Sequence, residues 1–454
     1  MDTQVKNIDA ASKFIDSYKE NKNTVHSANH KFLKDFHDKG IEDFIKLGFP
    51  EKKSERYKYT FLEPFFNKEY FQLLEPDNFN FNVNEIFTCG IPDLNTDVVL
   101  LVNGFYYHMN PINGNWNNNI WIGSLAKAVI EKPELIQKYL GKSSSHDDGL
   151  IALNSAYFID GIFVHIPENV HLEKPLQIIN VLLSEKDLLV HQRNFILLEK
   201  NSSADIVICD HTLSQKNFLT NSVTEIYVEE NAQFNQTCLQ NEHNDSVKVS
   251  SVFIQQGQNS QVKYNTITLH GGVVRNNLKV ILDGEGAENN TSGLFITDKT
   301  QHVDNYFFIN HAKPNCKSNQ LIKGILDDQS TGSFNGRILV SRDAQKTSAY
   351  QKNNNLLLTS NAKMNTRPQL EIYADDVKCS HGATVGQLDQ EALFYLRSRG
   401  IGKEESRLLL IFAFAHEIIN SIQLQPLKDR VDDLVNKRLR GELTKCENCL
   451  INCC

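Results

Sequence analysis

Hydrophobic and polar residues alternate in short runs through the middle of the chain, from about residue 146 to 385. Runs rich in Val, Ile, Phe, Thr and Tyr are separated by clusters of Asn, Gly, Ser and Asp, a pattern typical of strands and turns. The clusters recur at Asn201, Asn231, Asn259 and Gly286, at intervals of 30, 28 and 27 residues. A turn-plus-strand unit at this interval predicts the stacked rungs of a β-solenoid. An antiparallel sandwich, and a compositional drift toward Asn without structural meaning, are the alternatives.

Helical spacing of apolar residues replaces this alternation at both ends of the chain. Residues 1–145 are predicted to form a mostly helical region, with one helix over Trp121–Leu140. Residues 386–440 predict a C-terminal helical domain, and residues 441–454 form a Cys-rich tail. The predicted fold is therefore mainly β with α caps, in which a parallel β-solenoid is flanked by helical regions.

Composition and charge exclude several classes of function. The 454 residues include 47 Lys and Arg against 55 Asp and Glu, a net charge of −8 without a basic run, so nucleic-acid binding is not expected. The longest apolar run, Leu408–Ala415, is far shorter than the ~20 residues that span a bilayer, so no membrane insertion is expected. The start has no signal-peptide pattern and the nine cysteines show no stapled pattern, which predicts a cytoplasmic protein with free thiols. The 48 asparagines suit turns, because Asn tolerates left-handed backbone conformations.

The loop after the predicted helix invites a comparison with phosphate-binding loops. Gly141, Lys142 and Ser143 supply the end of such a motif, but the glycine required five positions earlier is replaced by Ile136. A solvated loop is the expectation here.

One segment, 373–386, concentrates reactive side chains. Cys379 and His381 are two residues apart, so in an extended strand both project from one face. A thiol and an imidazole suit zinc, iron or the edge of an iron-sulfur cluster, but they are only half of a four-ligand site. Counted through one continuous strand, the pair would face away from Leu370 and Ile372, toward solvent or another subunit. The alternatives are a small buried cysteine with a turn histidine, or a Cys-His hydrolase dyad, for which no oxyanion-hole glycine motif is present.

Several segments in the second half of the chain carry a family resemblance. These are Gly271–Asn276, Gln301–Asp304, Asn315–Gln320, Gln351–Ser360, Arg367–Asp389 and Leu393–Ile401. Together they closely resemble the SufB/SufD family of iron-sulfur cluster assembly scaffold proteins. Residues 379–386 read Cys-Ser-His-Gly-Ala-Thr-Val-Gly, which is similar to SufD rather than to SufB, where the corresponding segment has Cys-Glu-His.

The resemblance implies a right-handed parallel β-helix and a non-catalytic scaffold subunit of an ATPase-driven complex. It implies a heterodimer with SufB through the β-helix ends, and two copies of the SufC ATPase bound to the C-terminal helical domains of SufB and SufD. His381 would contribute to a transient iron-sulfur cluster or iron at the SufB/SufD interface, with Cys379 beside it as the second candidate. It allows reduced flavin in the complex and a homodimer of the isolated chain, which would hold no tightly bound group.

Secondary candidates lie outside this segment. His302, Asp304 and His311 fall within or near family-like segments and could supply iron ligands, although stabilisation of solenoid turns explains the same residues. The tail thiols could carry sulfur or bind metal, but their spacing is too irregular for a standard zinc site, and a tail without function is the alternative. They are Cys446, Cys449, Cys453 and Cys454.

Two rival functions fit the sequence less well than the SufD-type scaffold. A SufB-type scaffold subunit is disfavoured by Ser380, which stands where SufB has Glu. A carbohydrate-active β-helix protein would need converging carboxyl groups, whereas Asp375 and Asp376 would point to opposite faces of a strand.

Overall fold

The computed structural model describes residues 10–26, 30–76, 94–107, 119–144 and 147–443. Its main body is a parallel β-solenoid of about seven turns, in which successive strands enter two different sheets. One sheet contains β4 (Trp121–Ser124), β5 (Ile162–Ile166), β7 (Leu188–Leu198), β9 (Phe218–Val228), β11 (Val247–Gln256), β13 (Val273–Leu282), β15 (His302–His311), β17 (Thr331–Val340) and β19 (Lys363–Ile372), with β1 (Phe71–Gln72) beside β7. The other contains β3 (Phe105–Tyr107), β2 (Asp97–Val102), β6 (Leu176–Leu182), β8 (Ser203–Thr212), β10 (Gln233–Asn241), β12 (Gln261–His270), β14 (Glu288–Thr297), β16 (Lys317–Leu326), β18 (Ser348–Leu357) and β20 (Lys378–Gly386). We call them the odd sheet and the even sheet.

The corners that precede the even strands explain the repeat seen in the sequence. Asn201, Asn231, Asn259 and Gly286 all have positive φ, between 52° and 71°, and each lies two residues before a strand of the even sheet. Asn and Gly adopt this left-handed conformation at lower cost than other residues. The Asn231 side-chain amide donates to the Asn201 side-chain oxygen one turn away, at 3.0 Å. The interval predicted from the sequence thus marks one column of corners. The predicted fold, mainly β with helical ends, is confirmed.

The interior of the solenoid is an apolar column shared by both sheets. Ala204, Phe234 and Val262 lie at successive inward positions of the even sheet and are 3%, 0% and 1% exposed. They pack against inward residues of the odd sheet such as Ile254 and Val280. Each turn buries its inner face only against its neighbours. The inner face of the last turn is therefore buried only if another element or chain packs against it.

The N-terminal helices pack against the early turns and the odd sheet. They are α1 (Ala10–Val25), α2 (Lys31–Leu47), α3 (Glu63–Phe66), α4 (Leu125–Glu131), α5 (Pro133–Tyr139) and α6 (Gly149–Tyr157). The single helix predicted over Trp121–Leu140 is wrong, since β4 occupies its start and the rest is divided between α4 and α5. The break falls at Lys132, which leaves helical geometry with φ −131° and ψ 45° because Pro133 follows it.

Three C-terminal helices follow the last strand: α7 (Gln390–Ser398), α8 (Lys403–Ile419) and α9 (Gln425–Arg440). The apolar faces of α8 and α9 cover the outer face of the even sheet, where Ile267 and Leu294 meet Ala415 and Val431. Two buried cations reinforce this contact. The Lys323 ammonium on β16 donates to the Phe414 carbonyl at 2.9 Å, and the Arg438 guanidinium on α9 donates to the Leu269 carbonyl at 2.8 Å. The helical domain is therefore attached to the middle turns of the solenoid.

Across the part of the chain that the structure describes, no helix is both long and apolar enough to cross a membrane.

Candidate functional site

Cys379 and His381 lie on β20, the last strand of the even sheet. In the parallel ladder with β18, Cys379 pairs with Ala349 and His381 pairs with Gln351. Ala349 and Gln351 are buried at 0% and 2% exposure, which marks these positions as inward-facing. Cys379 is only partly buried and His381 is exposed, because no further turn of the described chain covers them. The two residues occupy interior positions of a turn whose interior is open.

The alternation of one continuous strand, under which the pair would face away from Leu370 and Ile372, does not hold here. Leu370 and Ile372 on β19 pair with the buried Ile338 and Val340, so they are inward-facing as well. The chain turns at residues 373–377 between β19 and β20, and alternation cannot be counted through a corner. Both sets of residues therefore line the same end of the solenoid.

We define the open end as the inward-facing positions of the last two strands. They are Met364, Thr366, Pro368, Leu370 and Ile372 on β19, and Cys379, His381, Ala383 and Val385 on β20. Ile372 and Val385 are 40% and 43% exposed, and Tyr373 at the adjoining corner is 62% exposed. Each strand ends its sheet in the described structure, so the outer backbone edge of each is available for pairing. Sequence reasoning missed this surface, although apolar residues at 370–373 and 383–385, with a helical pattern after 386, could have indicated it.

The two candidate ligands differ in environment. The Cys379 side chain packs against a small apolar cluster that includes Val340, Ala349 and Ala374. Burial raises the pKa of the Cys379 thiol, and the backbone N–H of Ala349 opposes this only in part. His381 is exposed, and its ring makes no hydrogen bond or ion pair with any residue described in the structure. The imidazole is thus the ligand that is open to an incoming group, while the thiol must lose a proton to bind metal.

One imidazole and one thiol supply two ligands where iron or zinc takes four. Within the described ranges, no group of three or more His, Cys, Asp and Glu side chains is placed to hold a metal ion. A metal site that used this pair would therefore need its remaining ligands from outside the described residues.

His302 and Asp304 lie in the odd sheet on β15, two turns before β19, and they are engaged in packing. The Asp304 carboxylate forms an ion pair with Arg275 and accepts hydrogen bonds from Thr60 and Ser333. Burial opposes ionisation of Asp304, but Arg275 and the two hydroxyl groups outweigh it and lower the pKa of the carboxyl. The His302 ring contacts the Thr60 hydroxyl at 2.6 Å. These residues anchor the N-terminal segment around Thr60 to the solenoid, and the structure does not bring them to His381.

His311 lies at the other end of β15 and is fully buried. Its Nε2 atom is 2.8 Å from the Ser318 hydroxyl, and burial lowers the pKa of His311 to about 4. β17 separates this residue from β19 at the open end, so the structure does not bring His311 to His381. The tail thiols Cys446, Cys449, Cys453 and Cys454 lie outside the described residues, so their predicted role stays a prediction.

Comparison with known proteins assigns both halves of the chain. Residues 8–178 match the description "SufBD protein N-terminal region", and residues 181–414 match "SUF system FeS cluster assembly, SufBD core domain". An iron-sulfur cluster assembly SufBD family protein of Synechocystis is 30% identical over 409 residues, which cover 88% of this chain and 90% of that protein.

Two further relatives show the range of similarity. The iron-sulfur cluster assembly protein SufD of Escherichia coli is 34% identical over 271 residues, covering 59% of this chain and 64% of that protein. The chloroplast protein ABCI7 of Arabidopsis thaliana is 26% identical over 408 residues, covering 88% and 84%. The chain belongs to the SufBD family of iron-sulfur cluster assembly proteins.

Proposed function

We propose that this protein is a SufD-type subunit of a SufBCD scaffold, which pairs with SufB through the open end and contributes His381 to a transiently assembled iron-sulfur cluster. The observation that carries the proposal is the half-site of Cys379 and His381 at interior positions of an uncovered last turn. The subunit itself is proposed to be non-catalytic, and the cluster is its cargo.

The chemistry of the open end suits pairing with a second solenoid. A partner strand can extend each sheet at the free edges of β19 and β20, and its own last turn would cover Ile372 and Val385. The same contact would bring ligands from the partner to His381. Ligands divided between two chains can be separated by a movement of the interface, so the cargo can leave, which a closed four-ligand site in one chain would prevent.

His381 is proposed as the principal ligand of this chain. Its imidazole is exposed, whereas the Cys379 thiol is partly covered and its pKa is raised by burial. Neutral imidazole is also a harder, less tightly bound ligand for iron than thiolate, which favours release.

The C-terminal helices are proposed to bind the SufC ATPase. On α7, Phe394 and Tyr395 are 74% and 57% exposed, an adjacent aromatic pair that is costly to leave in water. Because α8 and α9 are fixed to the even sheet through Lys323 and Arg438, a displacement of these helices would be transmitted to the strands. That arrangement suits a scaffold whose interface is opened by a bound ATPase.

Two features favour a SufD-type over a SufB-type role. Ser380 separates the two candidate ligands, as in the SufD version of the segment, and 34% identity links residues of this chain to a protein named SufD. A carbohydrate-active β-helix protein has no support, because the family assignment covers both halves of the chain.

The remaining parts of the proposal concern bound groups, assembly and location. The isolated chain is proposed to hold no tightly bound cofactor and to form a homodimer through the same open end. Reduced flavin, where it occurs, is proposed to belong to the assembled complex, and the complex to work in the cytoplasm.

A pair of matched substitutions tests the two interfaces separately in cells that co-express the three subunits. Val385→Glu places a charge on the open end and should abolish co-purification of SufB while SufC is retained. Phe394→Glu places a charge on α7 and should abolish co-purification of SufC when this chain and SufC are expressed without SufB, while SufB is still retained when all three subunits are present. Both side chains are exposed, so neither change disturbs the described core. Retention of SufB by Val385→Glu would overturn the proposed end-to-end pairing, and retention of SufC by Phe394→Glu in the absence of SufB would overturn the proposed docking site.

A further inference from the structure

A cleft separates the N-terminal region from the outer face of the odd sheet. It encloses about 170 Å³ and is lined on the helical side by Arg56, Asp147, Asp148 and Ile151. Its sheet side is formed by outward-facing residues of β11, β13, β15 and β17. The cleft lies on a side wall of the solenoid and belongs to neither the open end nor the C-terminal helices.

One row of the parallel ladder crosses the sheet side of this cleft. Phe253 pairs with Lys279, Lys279 with Phe308, and Phe308 with Arg337, so two aromatic rings alternate with two cations on four adjacent strands. Adjacent strands in a sheet are about 4.8 Å apart, which places each cation next to an aromatic ring. The Arg337 guanidinium lies over the Phe308 ring at 5.2 Å from its centre.

The cations that face the cleft differ in how they are compensated. Arg56 contacts Asp147 at 3.2 Å and Asp148 at 3.4 Å. Arg337 is held by two hydrogen bonds of 2.7 Å to Glu371. These two guanidinium groups are therefore already paired.

Lys279 makes no hydrogen bond or ion pair within the described residues. Its side chain is half-buried, and burial lowers the pKa of Lys279, while the more distant charges of Asp147 and Arg56 act in opposite directions. A half-buried lysine that lines a cleft, has aromatic residues on both neighbouring strands and forms no ion pair with a described residue is a candidate anion-binding group.

The two carboxylates of the cleft form no ion pair with Lys279. Asp148 accepts hydrogen bonds from the Tyr57 hydroxyl at 2.6 Å and the Leu150 backbone N–H at 2.9 Å, in addition to Arg56. Asp147 contacts the same arginine. Both carboxylates thus contact Arg56, whereas Asp147 acts on Lys279 as a nearby charge without forming an ion pair with it.

We propose that this cleft binds a small flat anion, a single aromatic ring that carries one carboxylate or phosphate group. The ring packs against Phe253 and Phe308 and the anionic group pairs with Lys279. A cavity of about 150 Å³ accommodates benzene, so the 170 Å³ available here is large enough for one ring with a short substituent. The site is independent of the proposed SufD-type role, because it uses none of the residues of the open end.

The test measures binding of benzoate and phenyl phosphate to the full-length chain by saturation-transfer NMR and calorimetry. Benzamidine, a flat cation of the same size, and cyclohexanecarboxylate, an anion that is not flat, serve as ligand controls. Benzoate or phenyl phosphate should bind saturably, the preferred one identifying the anionic group, while benzamidine should not bind. This comparison uses the wild-type protein and needs no variant to fold.

Variants then locate the site. Lys279→Met should weaken binding about tenfold or more, because it removes the charge that pairs with the anion. Lys263→Met, at an outward position of β12 in the other sheet, removes a lysine far from the cleft and should leave the affinity unchanged. Equal weakening by both variants, equal binding of benzamidine and benzoate, or no saturable binding of either anion by the wild type would overturn the proposal.

Discussion

His381 lies directly over Gln351 in the ladder between the last two strands of the even sheet, yet Gln351 is buried and His381 is exposed. The Gln351 side-chain amide donates to the Gln320 side-chain oxygen one turn earlier, at 2.6 Å. The inward-facing column is thus buried at Gln351 and exposed at His381, one turn later. A residue at this place is not needed for the packing of its own chain, which makes it available for a function between chains.

His381→Ala removes the exposed imidazole from the open end. The substitution should abolish maturation of iron-sulfur enzymes in cells that depend on this protein, because it removes the exposed ligand of the half-site. The denaturation midpoint of the purified chain should stay unchanged, as expected of an exposed side chain without described partners. Activity of an iron-sulfur reporter enzyme and urea unfolding of the variant measure the two effects.

The matched control for that variant is His171→Ala. His171 is also an exposed histidine, but it lies at the opposite end of the solenoid, where its ring contacts the Ser203 hydroxyl at 2.8 Å. His171→Ala should leave the maturation of iron-sulfur enzymes intact. Normal maturation by His381→Ala would remove the role proposed for this residue, and so would a failure caused by loss of the folded complex.

Asn231 provides a test of the corner column. Asn231→Ala should destabilise the protein by about 1–2 kcal/mol, because alanine pays the steric cost of the left-handed conformation that Asn231 adopts with φ 58°. Asn231→Gly should lose less, since glycine has no Cβ, although the hydrogen bond to Asn201 is lost in both variants. Urea unfolding measures the two differences. An alanine variant as stable as the glycine variant would show that the corner conformation is not what selects Asn here.

Such corners are the reason that the solenoid could be predicted from the sequence. Most of them carry Asn or Gly at a left-handed backbone angle, with Lys346 before β18 as an exception, so the preference is local and repeats at the length of a turn. The facing of Cys379 and His381 could not be predicted in the same way. It depends on the corner at 373–377, which has no residue of positive φ among its described members and therefore leaves no comparable mark.

The loop after α5 shows a second limit of local patterns. The prediction of a solvated loop is wrong, since Ser143 and Ser144 are 8% and 3% exposed. The backbone N–H groups of Gly141, Ser143 and Ser144 donate to the Glu225 carboxylate at 2.9–3.3 Å. Arg193 pairs with the same carboxylate at 2.6 Å. Glu225 follows 81 to 84 residues later in the chain, so no spacing within the loop could indicate its partner.

Arg438→Met tests the attachment of the helical domain. The Arg438 guanidinium donates to the Leu269 carbonyl at 2.8 Å and to the Asp298 carboxylate at 2.8 Å, and the side chain is buried. Its loss should cost about 2–4 kcal/mol, because a buried carbonyl and a partly buried carboxylate lose their partner. Urea unfolding followed by hydrogen exchange should show α9 opening before the solenoid strands.

The control for Arg438 is Arg440→Met two residues later. Arg440 forms an exposed ion pair with Glu405 at 2.8 Å, and such pairs contribute little to stability. The urea unfolding midpoint of Arg440→Met should equal that of the wild type. Deleting the helices would be a poorer test, because it would expose the apolar outer face of the even sheet that includes Ile267 and Leu294.

His311 predicts how stability depends on pH. Burial lowers its pKa in the folded protein from 6.5 to about 4, whereas in the unfolded chain the imidazole regains its ordinary value. Between these two values the unfolded chain binds the extra proton, so stability is fully present above pH 6.5 and falls as the pH is lowered toward 4. The slope from one such group is about 1.4 kcal/mol per pH unit. His37, whose pKa burial lowers to about 4, and His191, whose pKa burial lowers to about 3, add to the same trend.

His311→Gln retains a polar group for the Ser318 hydroxyl and should remove the contribution of one proton to the slope, while the contributions of His37 and His191 remain. Urea unfolding at a series of pH values from 7.5 to about 4.5 measures the difference between the two curves. Parallel curves for the wild type and His311→Gln would mean that this histidine keeps its ordinary pKa in the folded protein, and with it that the solenoid interior at β15 admits water.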